Sequence, residues 1–179
     1  MLTTPRLRLF PSDPSLADMV ADYYERNREF LKPFDPAREE EFFTVDYQRR
    51  ELMRELNDAE NRRAARFYIA LSDEPHKIIG MAALSNIVWG AFCSAFLGYK
   101  LDHESLCRGY MTEAVGALTH HAFFELGLHR IEANIMPRNT ASLRVAEKNG
   151  YRNEGLSRRY LSINGVWEDH IHMVRLSDD

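Results

Sequence analysis

Apolar positions in this chain recur with the period of a strand in some stretches and of a helix in others, and they divide it into alternating elements. Leu7 and Leu9 alternate with arginines over Arg6–Phe10, which predicts an opening strand. Ser12 or Asp13 then caps a helix with Pro14 at its first position, and Leu16, Met19, Val20 and Tyr23 fall on one face of it. The stretch Asn27–Pro36 (NREFLKPFDP) carries two prolines and two phenylalanines, so an ordered, partly apolar loop that cannot continue the helix is expected. Thr44 starts a second helix whose apolar stripe is narrow (Val45, Leu52, Met53, Leu56), as in a solvent-facing cover.

Phe67, Ile69 and Leu71 alternate along Arg66–Leu71, and further strands are expected at Lys77–Ile87 and Ala91–Leu101, joined near Trp89-Gly90. Gly98 inside the last of these predicts a bulge or a close backbone approach. A long helix enters at Gly109 with Met111, Ala114, Val115, Leu118 and Ala122 on one stripe and stops at Gly127. A strand at Arg130–Met136 follows, then a shorter helix capped by Asn139 that ends at Asn149-Gly150. Asn164-Gly165 between alternating runs is a two-residue hairpin turn, and its register sets Ser162 opposite Trp167 and Tyr160 opposite Asp169.

Composition narrows the function classes. A chain of 179 residues with 45% hydrophobic and 28% charged residues suits one globular domain over 1–179. A net charge of −4 gives no basic footprint for nucleic acid. Cys93 and Cys107 match neither a disulfide scaffold nor a metal pattern, and a cytoplasmic location is the simplest reading. No apolar run has membrane-spanning length, and MLTTPRLRLF lacks the apolar core of a signal peptide. His170 and His172 share a strand face, but without a third ligand they make a poor zinc site, so no metal is expected.

The stretch Leu97–Gly127 passes from strand through a polar turn to a helix N-terminus, where free amides and the helix dipole favour an anion such as a pyrophosphate. No Lys-Ser or Lys-Thr follows the turn and no Gly-x-Gly-x-x-Gly precedes it, so it is neither a Walker loop nor a dinucleotide fingerprint. CRGYMTEAV after LGYKLD, followed by RIEANIMPRNTASLRVAEKNGY, resembles the GNAT N-acetyltransferase superfamily. With NREFLKPFDP early and NGVWEDH near the end, the resemblance is to the RimJ/RimL-type ribosomal-protein alanine acetyltransferases and covers nearly the whole chain. It implies an α/β (α+β) fold, a mixed and mainly antiparallel sheet flanked by helices, with two central strands splayed apart. Two positions depart from the loop pattern of that family: Leu106 replaces its Gln or Arg, and Met111 its small residue.

Carried onto this chain, the resemblance implies that acetyl-CoA lies along Tyr99, Lys100 and Leu101, with its pyrophosphate on the amides of Cys107, Arg108, Gly109, Tyr110, Met111 and Thr112. The Leu101 amide would then polarise the thioester carbonyl. Asn139 reads as a helix cap, and the resemblance also makes it a contact to the pantetheine arm, two roles one residue can combine. Ser142 is either a proton donor to the leaving thiolate or a small packing residue. Related acetyltransferases have a glutamate at the position of Asn134. That leaves Glu132 as the candidate base, with Glu104 and Asp169 behind it, each with a plain solvated reading beside the functional one. Phe34, Asn134, Tyr160, Trp167 and Asp169 are candidates to line the acceptor pocket, the aromatics also reading as core. The activity implied is direct transfer of acetyl to a primary amine, foremost a protein N-terminal α-amine. A small-molecule amine acetyltransferase and a non-catalytic acyl-CoA-binding protein are the rivals. The alternating apolar residues of the hairpin suggest a homodimer.

Overall fold

A computed structural model describes residues 1–179. Eight strands form one sheet in the order β1-β2-β3-β4-β5-β6-β8-β7. They are β1 (Leu2–Thr3), β2 (Leu7–Pro11), β3 (Ala65–Leu71), β4 (Ile78–Val88), β5 (Ser94–Leu101), β6 (Arg130–Ile135), β7 (Arg152–Ile163) and β8 (Val166–Leu176). Every neighbouring pair is antiparallel except β5 and β6, which are parallel. The helices are α1 (Ala17–Arg26), α2 (Arg28–Leu31), α3 (Val45–Glu60), α4 (Tyr110–Phe124) and α5 (Thr140–Lys148).

Helices cover the sheet on both faces, and the strands between them are buried on both sides. On one face Leu7, Leu9, Phe67, Ile69, Leu97, Ile131 and Ala133 pack against the α4 stripe Met111, Ala114, Val115, Leu118 and Ala122. On the other, Tyr68, Ala70, Ile78 and Met81 pack against Leu16, Val20 and Tyr23 of the α1 region and Leu52 of α3. Between β4 and β5 the backbones approach so closely that a Cβ on Gly80 would lie 2.6 Å from the Lys100 carbonyl oxygen. Only glycine fits there.

The expected caps are present. Asp13 accepts the Ser15 amide above Pro14, Thr44 accepts the Tyr47 amide, and Asn139 accepts the Ser142 amide. Four expectations are corrected. The segment after Asn27 does form a helical turn, α2, because Pro33 forbids helix only at and just before its own position. Met53 of α3 is exposed, and Gln48 is buried in its place, donating to the Phe42 carbonyl at 2.5 Å. Gly98 pairs regularly with Ala83, and the irregularity lies between Ser85 and Val88, where Asn86 has φ +49°. Ser162 does face Trp167, but Tyr160 is not paired with Asp169, since the register shifts between Ser157 and Leu161. The short β1 had no pattern to predict it.

One buried ion pair fastens α1 to the end of β5. The Asp102 carboxylate, with no exposed surface, pairs with Arg26 and accepts the Glu104 amide at 2.9 Å, while Arg26 also donates to the Ile78 carbonyl at 2.8 Å. Burial pushes the Asp102 carboxyl up, but the Glu104 amide and Arg26 overcome it and hold it below its ordinary value. Asp102→Asn is therefore expected to cost about 3 kcal/mol at neutral pH, measured by urea unfolding. A carboxyl held low stabilises above its unfolded pKa, about 3.9, and loses that contribution as pH falls through the lower folded value. The difference between wild type and variant should accordingly shrink in acid.

Candidate active site

Where β5 meets β6 the sheet opens. Only Ser94, Ala95 and Phe96 pair with β6, opposite Arg130, Ile131 and Glu132; beyond that rung Leu97–Leu101 and Ala133–Ile135 have no partner in each other. The Asp102 amide donates to the Ile79 carbonyl at 2.7 Å, which fixes the alternation of β5 against β4. Amides of an antiparallel strand face alternate sides, so Tyr99 and Leu101 turn their N–H and C=O groups into the gap. The gap is thus walled on one side by backbone donors and acceptors of the residues expected to contact acetyl-CoA.

At the end of β5 the chain turns through His103–Ser105 and Leu106 into α4. Cys107 (φ +59°) and Gly109 (φ +79°) are both left-handed with Arg108 between them. None of the amides from Cys107 to Thr112 donates to a group of the protein. Six successive free donors at the positive end of a fifteen-residue helix make an anion cradle. Leu106 and Cys107 are exposed, while Met111 is buried under the helix, so the two departures from the family pattern leave the amides untouched.

Residues that sequence reasoning missed hold this loop in place. Glu113 of α4 accepts the Thr4 hydroxyl at 2.6 Å, the Arg6 amide at 3.0 Å and Arg6 Nε at 2.7 Å. Burial raises the Glu113 carboxyl, but Thr4 and Arg6 outweigh it and keep it below its ordinary value. Arg6 in turn donates to the Arg108 carbonyl at 3.0 Å and lies over the Tyr110 ring. Arg6 reads in the sequence as one polar position of a strand, and nothing in its spacing points to a partner more than a hundred residues away.

On the α4/α5 face Tyr99 reaches from β5 across to the first turn of α5. Its hydroxyl donates to the Ser142 carbonyl at 2.8 Å and lies 2.9 Å from Ser142 Oγ. Burial pushes the Tyr99 phenol up to about 12, so it is a neutral donor at physiological pH. Asn139 Oδ1 accepts the Ser142 amide at 3.2 Å and sets that turn. Ser142 is therefore fixed through its amide by Asn139 and through its hydroxyl and carbonyl by Tyr99.

The other face of the gap is different. The Lys100 side chain points there, away from Tyr99, and pairs with Asp35. Phe34, partly exposed, lies near Arg138, which pairs with Glu168 at 2.9 Å. The hairpin tip closes toward the same segment through Asn164 Nδ2 donating to the Lys32 carbonyl at 2.9 Å. A cavity of about 390 Å³ between α2 and residues 35–43 adjoins this face, with Tyr24, Lys32 and Asp35 in its wall. Asn134 projects to this face and its buried Oδ1 has no partner. Tyr160 packs edge-on to the His172 ring at 5.0 Å. Phe34, Asn134 and Tyr160 are thus on the elements that enclose this side.

Other candidates fall elsewhere or are occupied. Trp167 is 62% exposed near the hairpin tip, and Asp169 Oδ1 accepts the Arg159 amide at 2.8 Å. Glu104 is exposed beside Lys77. Glu132 has both oxygens engaged, one 2.7 Å from His172 Nδ1 and one accepting Arg130 at 2.9 Å. Burial raises its carboxyl, and His172 and Arg130 bring it below its ordinary value, which makes it a weak proton acceptor by itself.

The loop is the part of this geometry most open to test. A β-branched residue at the φ of Gly109 costs about 1–2 kcal/mol and swings the neighbouring amides. Gly109→Val is expected to weaken acetyl-CoA at least about tenfold in titration calorimetry. Unchanged affinity would remove the loop from the site.

The chain is similar in sequence and fold to known proteins. Residues 6–152 match the family model described as an acetyltransferase (GNAT) domain. The chain is 37% identical to the probable N-acetyltransferase YjcK of Bacillus subtilis (strain 168), over 100% of its own length and 98% of the relative's. The solved ribosomal-protein-S5-alanine acetyltransferase of Vibrio fischeri superposes with a TM-score of 0.90 at 37% identity, covering 97% of this chain and 93% of that one. Mycobacterium smegmatis RimJ, solved with a CoA disulfide, superposes with a TM-score of 0.88 at 27% identity, covering 97% and 86%. The chain belongs to the GNAT acetyltransferase family, and it is an acetyl-CoA-dependent N-acetyltransferase.

Proposed function

We propose that this enzyme acetylates the N-terminal α-amine of a protein, the acetyl passing directly from acetyl-CoA to the amine in a ternary complex. The observation that carries the reading is the parting of β5 from β6 beyond Phe96 and Glu132, where neither strand pairs with the other and an extended acyl donor has room to add between them. The α4/α5 face offers the anion cradle and the Tyr99–Ser142 pair to the acyl donor. The opposite face, walled by α2 and the hairpin, receives the acceptor.

Each residue then has a defined task. The free amides of Cys107–Thr112 hold the pyrophosphate, and the gap-facing groups of Tyr99 and Leu101 pair with the pantetheine. As the amine adds to the thioester carbonyl, the Leu101 amide donates to the oxygen that gains charge. When the C–S bond breaks, the sulfur leaves with the bonding pair. Ser142 Oγ, which donates to the Tyr99 oxygen at 2.9 Å before reaction, supplies it a proton and regains one from solvent, which receives the proton lost by the amine. A relative with known acceptor, the S5-alanine acetyltransferase of Vibrio fischeri, supports an alanine α-amine as the class to try first.

Amine chemistry supports the same class. An α-amine ionises near pH 8 and a lysine near 10.4, so freeing a lysine amine costs about 3 kcal/mol more. No unengaged carboxylate flanks Asn134, and an acceptor that needs little help suits such a site. The contact of Asn164 with Lys32 narrows this side and favours, as a second reading, a small amine. Free-thiol release with a panel of alanine-led peptides, lysine peptides and polyamines separates the two, and mass spectrometry locates the acetyl group. Acetylation of the peptide α-amine is expected; turnover with polyamines alone would overturn it. Ser142→Ala should lower kcat about tenfold to a hundredfold with little change in acetyl-CoA affinity. Equal turnover would remove Ser142 from the reaction.

A further inference from the structure

On the acceptor face of the sheet, a chain of hydrogen bonds crosses three strands. It starts at Arg130 on β6, which donates to Glu132 Oε2 at 2.9 Å. Glu132 Oε1 lies 2.7 Å from Nδ1 of His172 on β8, and His172 Nε2 lies 2.6 Å from Oγ of Ser157 on β7. Arg130 also reaches Glu154 of β7 at 2.7 Å, closing the array at its far side. Sequence reasoning saw His170 and His172 only as neighbours on a strand face. Their partners come from strands whose order in the sheet, β6-β8-β7, does not follow the chain.

Position gives this array its meaning. Glu132 stands opposite Phe96 on the last rung before the gap opens, and His172 is the cross-strand partner of Asn134, the next residue on that face. Asn134 is an amide and cannot take a proton. Glu132, held by Arg130, stays ionised and fixes the His172 proton on Nδ1. The lone pair of Nε2 is then turned to the Ser157 hydroxyl. His172 and Glu132 are mostly buried, whereas Ser157 is half-buried and flanks the shift in β7 register at which Arg159 takes φ +50°. Tyr160, just past that point, folds over the ring and restrains it. The arrangement has a nitrogen base, an anion that stabilises its cation, and a hydroxyl that opens to water.

We propose that His172 takes up the proton lost by the acceptor amine, with Glu132 as its positioning residue and Ser157 as the hydroxyl through which the proton arrives. This rests on the reading of the protein as an amine acetyltransferase with its acceptor on this face. An ammonium N–H bond breaks and its electron pair stays on nitrogen as the nucleophile. The proton passes by water to Ser157 Oγ while the Ser157 proton moves to His172 Nε2. The imidazolium, paired with Glu132, later returns it to solvent by the same path. No oxidant or further reactant is needed.

The test is the pH dependence of kcat/KM for an alanine-led tetrapeptide, in wild type, His172→Leu and Glu132→Gln. The charged or titratable groups around His172 are Glu132 and Arg130 from β6, Glu154 and Tyr160 from β7, and His170 on its own strand. Loss of the relay should lower kcat/KM of His172→Leu about tenfold at pH 7, where only about a tenth of an α-amine of pKa near 8 is already neutral. The loss should fade above about pH 9, where the α-amine is neutral unaided. Glu132→Gln should shift the profile in the same direction by a smaller factor. Acetyl-CoA binding by calorimetry should be unchanged in both, showing an intact fold. A deficit of equal size at every pH, or no deficit, overturns the proposal. If the wild type acetylates only another amine, the acceptor reading fails instead, and the same profiles on that amine still decide the relay.

Discussion

Backbone groups of a strand that has lost its neighbour must find partners elsewhere, and this requirement organises the enzyme. Beyond Phe96 and Glu132, β5 and β6 leave a row of amide and carbonyl groups facing each other across a gap too wide to bond. A sheet interior does not leave such groups idle without cost. An elongated molecule with alternating donors and acceptors satisfies them, and a pantetheine arm has that character. β5 is fixed on its other sides by the close approach of β4 at Gly80, the buried Asp102–Arg26 pair at its end and the Tyr99 bridge to α5.

In the proposed reading, donor and acceptor are divided between the faces of the sheet. Groups that address the acyl donor come from contiguous sequence, β5 through the start of α4, with α5 close behind. Groups on the face proposed for the acceptor come from α2, β6 and both arms of the hairpin, and they meet only in the folded chain. The first set is nearly free of side-chain chemistry, since amides carry it. That explains why Leu106 and Met111 can depart from the family pattern without disturbing the cradle.

This division also sets how much was legible beforehand. Strand alternation, the α4 stripe, the caps at Thr44 and Asn139, and the Asn164-Gly165 turn are local and legible from period or residue type, whereas the first cap stays open between Ser12 and Asp13 until the structure assigns it to Asp13. The splay and the family followed from the resemblance of motifs around that same contiguous stretch. What escaped was nonlocal. Glu113 with Arg6, and His172 with Glu132 and Ser157, join residues that no spacing rule connects. Tyr160 was placed opposite Asp169 because a hairpin register extrapolates faithfully only until a bulge, and none of the residues near Arg159 announces one.

That bulge has a bearing on how the molecule keeps its own company. β7 is the outermost strand, with one edge of its backbone unpaired, and Leu156 and Leu161 lie exposed along it. A long, flat, apolar border of this kind is a template on which a second chain can lay a strand. The left-handed kink at Arg159, the two extra residues around it and the exposed arginines at 158 and 159 break the border into two short pieces out of line with one another. The kink that folds Tyr160 over His172 therefore also disfavours continuous strand addition along this margin, so that packing the His172 ring and resisting aggregation fall to the same few residues.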